Sequence, residues 1–142
     1  MAVQTSNILP KASQPQGAVD PVALLRLEVL SSFRDYVKVM FRGAYKRSFV
    51  FNSHHDQIIE ALERVVDGKC KRLIINIAPR YSKTELVIKM FISYCYALNA
   101  ACNFMHLSYS DLLVNDNSAA VREIMKLPIY KELFPDTALE KP

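Results

Sequence analysis

From Val22 onward, apolar residues recur at three- and four-residue steps: Val22, Leu25, Val29, Leu30, Phe33, Tyr36, Val37, Met40 and Phe41. Arg26, Glu28, Arg34, Asp35 and Lys38 lie between them. Such a stripe predicts one amphipathic helix with a single buried face, ended at Gly43. Ser48 to Phe51 reads as a short extended piece. Asn52 or Ser53 then caps a helix over about 54–66 that buries Ile58, Ile59, Leu62 and Val65 and closes at Gly68. Here the period changes. Leu73-Ile74-Ile75-Asn76-Ile77 is rich in β-branched residues and follows Lys69, Lys71 and Arg72, which predicts a central strand of a parallel sheet. Pro79 breaks it. A helix from about Lys83 to Leu98 follows, with Leu86, Met90, Phe91, Tyr94 and Leu98 inward. A second strand is predicted over about Asn103 to Tyr109, and a helix over about Asp111 to Met125, capped by Ser110 or Asp111. Pro128 and a short turn to Phe134 finish the ordered part. Strand, loop, helix and strand within roughly 35 residues make a βαβ unit, so the expected architecture is α/β.

Composition narrows this picture. The chain has 142 residues, 51% hydrophobic and 23% charged, enough apolar material for one domain with a core and too much for wholesale disorder. A net charge of +4 permits a nucleic-acid partner without arguing for one. Cys70, Cys95 and Cys102 are odd in number and form no C-x-x-C pair, as expected of ordinary reduced thiols. Residues 1–21, with Pro10, Pro15 and Pro21, read as a flexible leader without the basic start and apolar run of a secretory signal. Between Lys89 and Asp111 no charged side chain occurs if His106 is neutral, which is about the length of a membrane span. Ser93, Asn99, Asn103, His106 and Ser108 interrupt it, so a helix, a turn and a buried strand explain it better. The expectation is a soluble, cytoplasmic protein.

The segment with the most chemistry is Ile77-Ala78-Pro79-Arg80-Tyr81-Ser82-Lys83-Thr84, between the first predicted strand and its helix. Lys83 and Thr84 occupy the last two positions of G-x-x-x-x-G-K-[ST], whereas Ile77 and Ser82 replace its glycines. A helix N-terminus after a buried strand is a natural seat for an anion. If the loop needs a left-handed backbone at Ser82, its Cβ costs roughly 1–2 kcal/mol. An ordinary turn with a solvated Lys83 is the other reading of the same residues.

In order along the chain, several segments resemble the large subunit of viral and prophage terminases, the DNA-packaging motor. They are Asn52-Ser53-His54-His55, Lys71 through Glu85, Leu107-Ser108-Tyr109-Ser110, Val121-Arg122-Glu123-Ile124 and Leu133-Phe134-Pro135. The resemblance covers roughly residues 45–136 and implies a P-loop ATPase, with a parallel sheet flanked by helices, that drives double-stranded DNA into a capsid. It implies ATP and Mg²⁺ as cofactors. Lys83 would neutralise the β- and γ-phosphates, Thr84 would ligate Mg²⁺, and Pro79, Arg80, Tyr81 and Ser82 would cradle the phosphates. Arg80 would stabilise charge in the transition state, and His55 or Gln57 would hydrogen-bond the adenine. The portal protein and the small terminase subunit are the implied partners, with no membrane, in the host cytoplasm.

Hydrolysis also needs an acidic pair at the end of a later strand, and none follows Tyr109. The resemblance therefore implies an incomplete front part: residues 22–136 as the start of an ATPase domain and 137–142 as a truncated tail. Two other readings stay open. One is a non-catalytic prophage fragment that binds nucleotide, DNA or motor partners; the other is a small nucleotide or sulfuryl transferase. His54-His55-Asp56 lacks a further helical histidine at the spacing a metal needs. Arg42, Lys46, Arg47, Lys69, Lys71 and Arg72 are either a DNA-facing patch or scattered surface charge.

Overall fold

The computed structural model describes residues 20–137, so all but residues 20 and 21 of the expected leader (1–21) and all but residue 137 of the expected tail (137–142) lie outside the described residues. Six α-helices form: α1 (Pro21–Ser31), α2 (Phe33–Tyr45), α3 (Ser53–Val66), α4 (Phe91–Leu98), α5 (Asp111–Lys126) and α6 (Pro128–Leu133). A π-helical turn, Glu85–Met90, leads directly into α4, and a 3₁₀ turn, Pro135–Thr137, follows α6.

The single helix expected over Val22 to Phe41 is two. The apolar stripe runs on through Val29, Phe33, Tyr36, Val37 and Met40, all fully buried, but the backbone breaks at Ser32 (φ −144°). The serine pair supplies the reason, because serine hydroxyls compete for backbone groups. Ser31 donates to the Glu28 carbonyl (2.8 Å), and the Ser32 hydroxyl accepts from the Asp35 N–H (3.4 Å) as the cap of α2. Glu63 of α3 accepts a further free donor, the Phe33 N–H, at 3.0 Å. Gly43 does not end the helix. It lies inside α2, where a Cβ would come within 3.1 Å of Ile129 Cγ2, so its smallness lets α6 approach; Lys46 (φ 55°) ends α2 instead.

α3 begins where the sequence places it. Asn52 and His55 form a reciprocal capping box, and Gly68 (φ 72°) follows the C-terminus. Residues 83–98 form one continuous helix, as expected, whose early part is widened so that the Phe91 N–H reaches back five residues to the Leu86 carbonyl. This helix is the centre of the molecule. Phe91 and Tyr94 meet Phe33 at ring-centroid distances of 5.6 and 5.2 Å, and Tyr36 lies 5.0 Å from Tyr94. Tyr130 and Phe134 close the far side, 5.0 Å apart.

The main correction concerns the sheet. Among the described residues no β-strand forms, so the expected parallel sheet of a P-loop NTPase-like α/β domain is overturned and the fold is all-helical. Residues 73–78 and 103–109 are irregular, and no backbone hydrogen bond among the described residues involves them. Side chains of the first run nevertheless alternate, whereas in the second only His106 is withdrawn from solvent. Ile75 and Ile77 are half-buried against the core while Ile74 and Asn76 are exposed, and His106 is half-buried between exposed Met105 and Leu107. Such period-two alternation is the side-chain signature of extended backbone. A ladder needs a second extended chain hydrogen-bonded beside the first, and among the described residues these runs have none.

Candidate functional site

The loop after residues 73–78 carries two left-handed residues, Arg80 (φ 71°) and Ser82 (φ 57°). The conformation anticipated for Ser82 is therefore adopted despite its Cβ. With Ala78, Pro79, Lys83 and Thr84, these two residues border an open cleft of ≈ 720 Å³ that Tyr109 also lines. Lys83 and Thr84 are exposed in the first turn of the central helix, as is Tyr81 in the loop. Behind them Glu85 accepts the Tyr45 hydroxyl and the Lys89 ammonium, each at 2.8 Å. Partial burial opposes the charge on Lys89, but the Glu85 carboxylate and Tyr45 outweigh it and raise its pKa. Burial, followed by the bond to Glu85, raises that of Tyr45.

His55 and Gln57, the expected base contacts, separate. His55 is only 4% exposed, and its Nδ1 accepts the Asn52 N–H at 3.1 Å. Burial first, and then the neighbouring His54, lower its pKa. Asp56 and the Tyr81 backbone pull the other way, and Nε2 itself has no hydrogen-bond partner. The Tyr81 ring packs against His54 at 5.2 Å. Gln57 is exposed and makes none of the described hydrogen bonds. Ser110 begins α5 through its carbonyl, which accepts the Val114 N–H at 3.2 Å, without a side-chain cap.

These facts overturn the ATPase reading. A phosphate-binding loop is held by a strand paired within a sheet, and residues 73–78 are unpaired. No group of three His, Cys, Asp or Glu among the described residues is arranged to hold a metal ion. ATP and Mg²⁺ as cofactors, and phosphoryl transfer as the reaction, are therefore not supported. The resemblance to the terminase large subunit falls with the sheet its ATPase domain requires.

The two runs expected to form a buried sheet instead leave apolar side chains open. Ile74 (86% exposed), Met105 (85%), Leu107 (80%) and Tyr109 (94%) stand in solvent. Between the two runs lies a gap of ≈ 450 Å³ bordered by Leu73, Ile75 and Phe104 and floored by Val87, Ile88 and Ile92. Lys83 and Thr84 also line it. One signal could have found it: two strands alone cannot cover both faces of each other, so a βα unit of this length leaves apolar residues uncovered. A second cavity of ≈ 510 Å³, which Phe104 also lines, borders His106, whose Nδ1 is buried without a hydrogen-bond partner among the described residues.

The thiols are unpaired, and burial pushes Cys95 up to about 12, with a smaller effect of Cys102. Such a thiol is a poor nucleophile. No helix among the described residues is long and apolar enough to cross a membrane. No protein-family model, curated protein or solved structure matches the chain.

Proposed function

We propose that the chain is a non-catalytic binding module that takes a polypeptide partner on the open face of residues 73–78 and 103–109. The observation that carries this reading is the exposure of Ile74, Met105, Leu107 and Tyr109 on two runs whose backbone makes no backbone hydrogen bond among the described residues. Single exposed apolar residues need no explanation, but four of them on two runs of unpaired backbone offer a surface suited to being covered. Phosphate gains nothing from such a surface. A peptide gains both side-chain burial and main-chain bonds.

Double-stranded DNA is the second reading. It is favoured by Lys71, Arg72, Arg80 and Lys83, exposed and without ion-pair partners among the described residues. Fluorescence anisotropy separates the two, using a labelled Val/Ile/Thr peptide of about ten residues and a short DNA duplex. The peptide is expected to bind, and Ile74→Lys with Leu107→Lys to weaken it about tenfold, the equivalent of ~1.4 kcal/mol. Duplex binding that is lost in Arg80→Ala with Lys83→Ala, with no peptide bound, would replace the polypeptide reading by the DNA one.

A further inference from the structure

We infer that the open face takes a single β-strand, inserted between residues 73–77 and 103–107, apolar along its length and carrying carboxylates at both ends. This deepens the polypeptide-binding reading and rests on it. Four observations converge. The first is the alternation in residues 74–77, where Ile75 and Ile77 are half-buried and Ile74 and Asn76 exposed, the side-chain pattern of a strand without a neighbour. The second is the main chain: no N–H or C=O of residues 73–78 or 103–109 takes part in a backbone hydrogen bond among the described residues. Exposed and unpaired, such an edge is a template for an added strand.

The gap supplies the third. Leu73 and Ile75 of the first run and Phe104 of the second line one cavity together with Leu62, Val87 and Ile92. A strand laid in it would meet an apolar floor with one side chain in two. A helix would fill the space without satisfying either edge, because its own backbone groups are already bonded to each other. Five residues of strand span about 17 Å, so the occupant needs only five or six.

Charge selects the occupant. Lys71 and Arg72 precede the first run and Arg80 and Lys83 follow it, all four free of ion pairs among the described residues. A second copy of this chain would bring the same cations to the same ends and be repelled. Acidic flanks would be drawn in and would fix the register.

Hydrogen–deuterium exchange of the whole chain, free and with synthetic peptides, tests the inference. The probes are a Val/Ile/Thr peptide with Glu at both ends, the same peptide with Lys at both ends, and an amphipathic helical peptide. The Glu-flanked peptide is expected to slow exchange at residues 73–77 and 103–107 at least tenfold, and to bind about tenfold more tightly than the Lys-flanked one. Binding that leaves those amides unprotected, or equal binding of the helical peptide, would overturn strand insertion while leaving a polypeptide site in place. Failure of every peptide to bind would remove both. Protection of the same amides that grows with protein concentration alone would identify the occupant as a second copy and overturn the acidic-strand assignment.

Discussion

Ser93 shows how much one buried hydroxyl can hold. It is fully buried at the start of α4, accepts from the Tyr36 hydroxyl (2.8 Å) and faces the carbonyls of Lys89 and Met90 (2.9 and 3.0 Å). The Tyr130 hydroxyl donates to its backbone carbonyl at 3.3 Å. The widened π turn directly before it loosens the regular ladder, and the hydroxyl serves the carbonyls there. Burial holds the Tyr36 pKa well above its ordinary value, against the smaller opposing effect of its bond to Ser93, so that phenol stays neutral and must find a partner. Ser93→Ala is expected to cost roughly 1–3 kcal/mol by stranding the Tyr36 hydroxyl. Urea denaturation reads this as a lower midpoint with an unchanged slope, and Tyr36→Phe in the same background should restore part of the loss.

His55 couples the fold to pH through its place at the start of α3. Its Nδ1 must be unprotonated to accept the Asn52 N–H, and burial followed by His54 lowers its pKa. The unfolded chain therefore binds the proton more readily than the folded one. Stability from this group is present above the unfolded value of about 6.5 and is lost as pH falls below it, through the depressed folded value. Urea midpoints between about pH 7.5 and 5 should fall, and His55→Gln should flatten that slope. An unchanged slope in the variant would assign the pH dependence to other groups.

At the scale of elements, the start of α2 depends on two neighbours rather than on its own sequence alone. Ser32 caps it locally, and Glu63 reaches from α3 to the Phe33 N–H at 3.0 Å. Arg34 ties the same two elements together through an ion pair with Asp56, and its guanidinium lies 4.2 Å above the Phe51 ring. Exposed pairs of this kind contribute little; the caps contribute more. Ser32→Ala is expected to lower stability by about 1 kcal/mol, and Glu63→Ala to act similarly through a backbone donor left without a partner. Thermal unfolding checks both, and two losses that fail to add would show that the caps substitute for one another.

The elements also show which local rules could be read directly. α3, α5 and the helix of residues 83–98 follow from periodicity, Asn52, Gly68 and Asn99, because each signal acts within a few residues of its effect. The break at Ser32 and the place of Gly43 inside α2 could not be read so. The apolar stripe continues across the first, and the second is explained only by Ile129, far along the chain. The loop of the candidate site was legible as a special backbone at Ser82, and its neighbours Lys83 and Thr84 as a helix start, but not its chemistry.

For the whole molecule, stability should be unevenly spread. The aromatic centre of Phe33, Tyr36, Phe91, Tyr94, Tyr130 and Phe134 is buried, while residues 73–78 and 103–109 make no ladder bonds among the described residues and expose Ile74, Met105, Leu107 and Tyr109. In the free chain, amides of the two runs are expected to exchange at nearly unprotected rates and those of α4 only through global unfolding. Native-state exchange measures this directly; slow exchange in both runs at low protein concentration would contradict it.

The sequence by itself determined α3, α5 and the helix of residues 83–98, the box at Asn52 and the alternation of residues 74–77. Those features rest on dihedral preference and on side chains a few positions apart. Only the tertiary structure decided whether the runs became a sheet. Pairing is an interaction between distant segments, and a strand pattern states which side chains share a face without supplying the neighbour that completes the ladder. Without that neighbour among the described residues, the same pattern that predicts a buried parallel sheet and a phosphate loop yields an all-helical fold with one open apolar face.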